Sequence, residues 1–361
     1  MQNTYALGFN QITNLIATIG TDIAVLAEGD MGTGKSSMLT ALAERFPNHV
    51  PCYFDCTTKS DGDVMLPKMK DIDGNDFVRY ATNEELGLHL TDRPVIIMVD
   101  EYGKAIKPVQ NALLRLMQER QVGPYKLHPE SLVFATTNLG AEGVGDIIPP
   151  HGRNRVMVVR ARKPDATEWI EWGINNGIEP IVLSFVREFP QVLQSFTDVR
   201  APDDNPYIFH PQAQRAAFVT PRSLHKASTL LQRRDKLDDA TVTAGLIGLV
   251  GAPAAMDMMA YIHLADELPK LNDVKNHPDT AKVPNSVAAV CMMVYRTLST
   301  VEASWLDAWM QYLERLPAEA QGMFANGVRA TGYKQQGMVM TNKRFTAWAR
   351  QNSFLFAADK V

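Results

Sequence analysis

The sequence predicts an α/β domain, a parallel sheet flanked by helices, followed by an all-α region. Three observations predict it. Residues 23–27 (I-A-V-L-A), 95–99 (V-I-I-M-V) and 131–135 (S-L-V-F-A) are continuous apolar runs, the pattern of parallel strands buried on both faces. Helical patterns alternate with these runs, as strand–helix–strand units require. Beyond Pro164 the strand signal stops and helical periodicity takes over.

Taken in order, residues 5–19 place Leu7, Ile12, Leu15, Ile16 and Ile19 at helical spacing. Strand one is 23–27. The helix that follows the next turn carries Met38, Leu39, Leu42 and Ala43 and runs to about Phe46. A second strand is expected at 50–56 (V-P-C-Y-F-D-C). Residues 57–80 are polar, with Asp61, Gly62, Asp63, Asp71 and Asn75, and read as a loop-rich insertion with a hairpin turn at Asp73-Gly74. A central strand at 95–99 and a helix at 108–120 (Leu113, Leu114, Leu116, Met117) follow. The strand at 131–135 leads into T-T-N, and the last strand is 156–160 (V-M-V-V-R). Helices are then expected at 165–176, 180–195, 211–218, 221–234, 238–249, 256–269 and 285–316. Pro202, Pro206, Pro211 and Pro221 punctuate loops or helix starts. Residues 272–285, with two prolines, read as a linker. The expected division is an α/β domain at 1–163, an α-helical domain at 164–271 and a helical extension at 272–361.

Bulk composition bounds the function. The chain has 361 residues, 45% hydrophobic, with net charge −4. Its isoelectric point near 6.1 does not suit a polybasic nucleic-acid or membrane binder. Its three cysteines, Cys52, Cys56 and Cys291, give no disulfide framework and no zinc spacing. The first residues lack a signal-peptide pattern, and no apolar run reaches the length of a membrane span. A soluble, cytoplasmic protein is expected.

Residues 29–36 read G-D-M-G-T-G-K-S between a strand and a helix start. This is the P-loop pattern in its confirming context. Glycines let backbone N–H groups face a polyphosphate at a helix N-terminus, where the dipole favours negative charge. The ligand is therefore a nucleotide, ATP with Mg2+. The expected binding residues are Gly29, Asp30, Met31, Gly32, Thr33, Gly34, Lys35, Ser36 and Ser37. Lys35 would reach the β- and γ-phosphates, and the Ser36 hydroxyl would hold Mg2+.

Phosphoryl transfer to water needs three more parts: a carboxylate for the metal, a group that orients water, and positive charge for the transition state. Asp100-Glu101 ends the V-I-I-M-V strand in a Walker B arrangement. Asp100 would hold Mg2+ and Glu101 would polarise the attacking water. Asn138, at the tip of S-L-V-F-A-T-T-N, can reach the γ-phosphate or the water; the alternative is a turn-capping asparagine. Arg153 and Arg155 lie in H-G-R-N-R-V, either a solvated basic turn or a source of an arginine finger. Arg222, in V-T-P-R-S-L, falls in the first turn of a helix, where the dipole disfavours a cation unless an anion offsets it.

Together these residues resemble the AAA+ ATPases, specifically the MoxR-like group. N-A-L-L-R-L-M-Q-E-R-Q-V (111–122), F-A-T-T-N (134–138) and V-T-P-R-S-L are similar to that group's segments around sensor 1 and sensor 2, with Arg222 at the sensor 2 position. The resemblance covers about residues 5–235. It implies an AAA+ P-loop domain with an α-helical lid, and a homo-oligomeric ring, usually a hexamer, with nucleotide at subunit interfaces. It also implies an insert around 57–80 and a hairpin at about 118–130, both facing a substrate or partner. Three positions depart from the family pattern. Met31 replaces a usual proline, Lys104 in D-E-Y-G-K-A-I stands where arginine is usual, and N-R-V replaces D-R-F. The last favours Arg155 over Arg153 as the finger and leaves the choice open.

The function expected from this resemblance is ATP-driven remodelling or activation of a partner protein, in relatives often one with a von Willebrand A domain. A nucleic-acid motor or loader subunit is the rival reading, suggested by local basic clusters such as Arg160, Arg162 and Lys163. The segment 272–361 matches nothing in the family. Its Trp305, Trp309, Tyr312 and Phe324 read as core packing or as a docking surface.

Overall fold

The computed structural model describes residues 5–138, 150–266 and 268–356. The chain forms two compact units, Met1–Lys163 and Pro164–Val361.

The first unit contains β1 (Ala6–Leu7), α1 (Phe9–Ile19), β2 (Val25–Gly29), α2 (Ser37–Arg45), β3 (Val50–Asp55), a short α3 (Asp61–Val64), β4 (Met65–Ile72) and β5 (Asn75–Thr82). Next come β6 (Val95–Asp100), α4 (Lys107–Glu119), the small hairpin β7 (Gln121–Val122) and β8 (Tyr125–Lys126), β9 (Leu132–Thr137), α5 (Pro150–Arg153) and β10 (Met157–Ala161). Six strands form one sheet in the order β1-β10-β2-β9-β6-β3, and every pairing is parallel. The expected fold class is therefore present, a P-loop α/β domain followed by a helical region.

The apolar runs are continuous because the sheet is covered on both faces. Val25, Ala27, Ile96, Met98 and Phe134 pack with Ile12, Ile16, Met38 and Leu42 of α1 and α2. Their strand neighbours Leu26, Ile97, Val99, Val133 and Ala135 pack with Val109, Leu113 and Leu116 of α4. Successive strand residues enter opposite cores, so neither face tolerates polar alternation.

Several element boundaries differ from expectation. Ala6–Leu7 is extended and not helical, because Ala6 and Leu7 pair with Arg160 and Ala161. The helix begins only after Gly8, whose N–H donates to Gln11 Oε1 at 2.9 Å. Strand one lies two residues later than expected, at Val25–Gly29, since the N–H of Ile23 still bonds to Ile19 O of the preceding helix. The insertion is not loop-rich: β4 and β5 form an eight-residue antiparallel ladder closed at Asp73-Gly74. Its sequence hid this because almost every side chain in it is exposed, which leaves no apolar alternation to read.

The second unit contains α6 (Ala166–Asn175), α7 (Pro180–Glu188), α8 (Pro221–Leu231), α9 (Asp239–Val250), α10 (Ala252–Asp266), α11 (Leu271–Asn276), α12 (Val287–Thr300), α13 (Leu306–Leu313), α14 (Ala318–Arg329), α15 (Gln336–Met340) and α16 (Lys343–Gln351). Helix starts carry side-chain caps: Asp165 for α6, Thr220 for α8, Asp238 for α9 and Ser286 for α12. The helix read at 180–195 ends at Glu188, because Pro190 disfavours helix at Phe189. No helix forms at 211–218. There the Arg215 guanidinium donates to the carbonyls of Pro202, Asn205 and Ile208 and fixes an irregular loop instead. The stretch 285–316 is two helices with a break after Thr300. The expected linker contains α11, whose Val274 is fully buried. Trp305, Trp309, Tyr312 and Phe324 are all buried, so they pack the core. Among the described residues no helix is long and apolar enough to cross a membrane.

Candidate nucleotide site

The sheet order sets the site. Strands β2, β9 and β6 are neighbours, so the segments that follow them meet at the carboxyl edge, where ligands of open α/β sheets bind. The P-loop follows β2, Asp100 and Glu101 end β6, and Asn138 follows β9.

The P-loop backbone is shaped by glycine. Gly32 and Gly34 have φ of 70° and 89°, a region that side chains other than glycine rarely occupy. A Cβ on Gly34 would meet nothing within 4 Å, so the loop faces open space on that side. Gly29 answers a different need: a Cβ there would lie 2.7 Å from Ala161 O, so β2 and β10 approach too closely for any side chain. Lys35 is buried, and its Nζ donates at 2.8 Å each to Gly29 O, Asp30 O and Asn138 Oδ1. Asp30 is also buried and pairs with Lys163 at 3.6 Å.

Asp100 is buried, 8% exposed, and is held by neutral donors. Tyr53 O–H donates to its Oδ2 at 2.8 Å, Ser36 O–H to the same oxygen at 3.3 Å, Thr136 O–H to Oδ1, and Glu101 N–H to Oδ1 at 3.1 Å. Among the described residues Asp100 enters no ion pair. A buried carboxylate beside a serine hydroxyl, without a cation, fits a divalent metal. No cluster of three or more His, Cys, Asp or Glu side chains is present among the described residues. The donor set is thus one carboxylate and one hydroxyl, which suits Mg2+ completed by phosphate oxygens and water. Burial, the hydrogen bond to Asp100 and its negative charge together push the Tyr53 phenol well above its ordinary range. It therefore stays a donor.

Glu101 sits beside this carboxylate in a left-handed backbone conformation, φ 53° and ψ 39°. Such a conformation costs a non-glycine residue of order 1 kcal/mol and gathers at functional sites. Its Oε1 accepts from Asn138 Nδ2 at 2.9 Å and its Oε2 pairs with Lys104 Nζ at 3.2 Å. The chain Lys35–Asn138–Glu101–Lys104 is therefore continuous.

Lys35, Ser36, Asp100, Glu101 and Asn138 come together. Arg153 is exposed and is tied to Glu28 Oε1 at 2.7 Å. Arg155 is exposed and has no side-chain partner among the described residues. Arg222 belongs to the second unit, exposed in the first turn of α8 after the Thr220 cap. Three residues at the site were not anticipated: Tyr53, Thr136 and Lys163. Strand alternation puts Thr136 on the same face as Asn138 two residues on, so that one was accessible to reasoning. Tyr53 reaches Asp100 only through the β3–β6 register, which pairs Asp55 with Asp100.

No family model matches the sequence, and no curated protein does. Among solved structures the chain is similar to the RuvB Holliday junction branch migration motor of Thermotoga maritima, at 14% identity over 74% of this chain and 72% of that one, with a TM-score of 0.37. It is also similar to NtrX from Brucella abortus in complex with ADP, at 14% identity over 96% of this chain and 68% of that one, with a TM-score of 0.38. Likeness this weak carries no argument about reaction, assembly or client. Those rest on the residues of the site.

Proposed function

We propose that this chain is a Mg2+-dependent ATPase of the AAA+ type. On this reading it works as a homo-oligomeric ring, a hexamer as in MoxR-like proteins, and remodels or activates a partner protein, one with a von Willebrand A domain being the kind such relatives use. It does so in the cytoplasm, with 164–271 as the lid and 272–361 as an extension packed on it.

One observation carries the proposal. Asn138 joins the P-loop lysine to the Walker B glutamate beside a buried Asp100 that no cation among the described residues balances. Mg2+ would be held by Ser36 and Asp100 and would supply charge neutralisation at the phosphates. Lys35 would exchange its three carbonyl acceptors for phosphate oxygens. Glu101, released from Asn138 and Lys104, would accept a proton from the attacking water. Asn138 would turn its amide to that water or to the γ-phosphate. Arg155 is the better candidate for a finger toward a neighbouring subunit, since Arg153 is engaged by Glu28 of its own chain. Arg222 would sense the γ-phosphate from the lid.

The test is ATP hydrolysis by the purified chain with Mg2+. Lys35→Ala should abolish it, and an unchanged rate would sink the site assignment. Glu101→Gln with ATP should migrate as a ring in light-scattering chromatography; a monomer in both nucleotide states would remove the ring.

A second reading, a nucleic-acid motor, is favoured by one face of the β4–β5 ladder. Lys68 lies directly opposite Arg79, and Lys70 opposite Phe77. Like charges directly across a ladder are unfavourable without an anionic partner. Steeply salt-dependent DNA binding lost in Lys68→Ala/Lys70→Ala would support this reading, and salt-insensitive or absent binding would retire it.

A further inference from the structure

The helical unit holds a cavity of about 420 Å3 that no part of the nucleotide chemistry uses. Its walls come from the start of α7, the end of α10 and the second half of α12. Three charged residues line it, and two of them, Glu179 and Arg296, are opposite in sign and half-buried. They form no ion pair with each other, and neither side chain has a hydrogen-bond partner among the described residues. Yet each feels the other. Burial raises the Glu179 carboxyl while Arg234 and Arg296 draw it back, and burial lowers the Arg296 guanidinium while Glu179 restores it.

Leaving two half-buried charges unpaired across an open space carries a desolvation cost that no partner offsets. A ligand that meets both would remove that cost. Arg234 also lines this wall; its Nη2 pairs with Asp266, and its Nη1 is buried without a hydrogen-bond partner among the described residues. Glu179, Arg234, Arg296 and Asp266, the partner of Arg234, carry two positive and two negative charges, which disfavours a simple anion and a simple cation alike. The rest of the lining is largely apolar, with Ile181, Leu268 and Met292. The Ser299 hydroxyl on the same wall is buried without a hydrogen-bond partner among the described residues. The volume falls within the range of small-molecule sites, roughly 300–1,000 Å3.

We propose that this cavity binds a small zwitterion with an apolar body, a free apolar α-amino acid, its carboxylate on Arg296 and its ammonium on Glu179. The guanidinium offers two parallel donors to a carboxylate. The Glu179 carboxylate accepts from the ammonium, and the side chain lies against Ile181, Leu268 and Met292. The site is independent of the nucleotide reading and stands or falls without it.

Calorimetric titration of the full chain tests it, with L-valine, L-leucine, L-isoleucine, L-methionine and L-phenylalanine as probes. Isoamylamine and 4-methylpentanoate, which carry one charge each, serve as comparisons. At least one amino acid should bind saturably at one site per chain. Both single-charge analogues should bind at least about tenfold more weakly, as should protein carrying Glu179→Gln or Arg296→Met, because each loses a hydrogen bond to a charged group. Where a variant fails to fold, the comparison of analogues on the unaltered chain decides. No binding by any of the five amino acids, or a single-charge analogue that binds as tightly, overturns the proposal. A folded variant with undiminished affinity does the same.

Discussion

Asn138 Nδ2 donates to Glu101 Oε1 at 2.9 Å, while Asn138 Oδ1 accepts from Lys35 Nζ at 2.8 Å. One amide thus reports the state of the P-loop to the residue proposed to activate water. On the proposed reading phosphate would draw Lys35 away, so that Asn138 would lose its acceptor role and Glu101 a donor. Asn138→Ala should therefore leave ATP affinity within about threefold and lower turnover by about 100-fold, the scale of removing one placed donor. Paired measurements of nucleotide binding and steady-state hydrolysis check this, and an equal loss in both would assign Asn138 to binding alone.

Lys104 restrains Glu101 from the other side, Nζ to Oε2 at 3.2 Å, with both side chains partly exposed at 25% and 21%. A partly solvated pair is worth about 0.2–1 kcal/mol. Lys104→Met should free the carboxylate and raise basal hydrolysis by about 1.4- to 5-fold. A fall in rate would instead mean that the lysine works in the transition state.

Tyr53 holds Asp100 Oδ2 from outside the proposed pair of metal ligands, Ser36 and Asp100. Partners of this kind orient a ligand, and their loss weakens metal affinity by about 10- to 100-fold. Tyr53→Phe should shift the Mg2+ dependence of hydrolysis upward by that factor and change the maximal rate less. An unshifted Mg2+ curve would show that Thr136 and the Glu101 amide suffice to aim the carboxylate.

The parts of this site that the sequence exposed are those held by local rules. The P-loop is one contiguous segment, and its glycines are required by its own backbone angles. Asp100 and Asn138 were legible because each ends a run buried on both faces, which fixes where a polar residue emerges. Tyr53 and Lys163 were not legible, since their roles depend on which strands become neighbours. Of the β4–β5 ladder the turn at Asp73-Gly74 was legible and the strands were not: their stability comes from cross-strand hydrogen bonds and not from one buried face, so their residues carry no period-2 pattern. Arg215 shows the converse failure, where a single guanidinium takes the carbonyls of the 202–208 loop and overrides a plausible helical segment.

Gly29 belongs to both the sheet and the P-loop. A Cβ there would sit 2.7 Å from Ala161 O and 2.9 Å from Ala161 Cβ. Gly29→Ala must push β2 and β10 apart, at a cost of about 1–3 kcal/mol for overpacking a rigid interior. A lowered melting temperature and weakened ATP affinity are expected together, because the strand that moves carries the loop. Unchanged melting would mean the two strands separate freely.

Cys56 lies against the carboxylate cluster, 2% exposed. Burial, followed by the negative charge of Asp55, Asp100 and Glu101, pushes its thiol from 9.0 up to about 12. The folded state therefore binds the proton more tightly than the unfolded chain. That contribution is fully present below the unfolded value near 9.0 and is lost as pH climbs toward about 12. Within this window each pH unit removes at most about 1.4 kcal/mol per thiol. Cys56→Ala removes the titrating group, at a fixed packing cost that does not vary with pH. Between pH 9 and about pH 10.5 the variant should lose about 1–2 kcal/mol less stability than the unaltered chain. Urea unfolding midpoints of both proteins across that range measure the difference. Parallel curves would mean that the thiol ionises as readily in the folded state as in the unfolded one, and that water reaches the cleft behind Asp100.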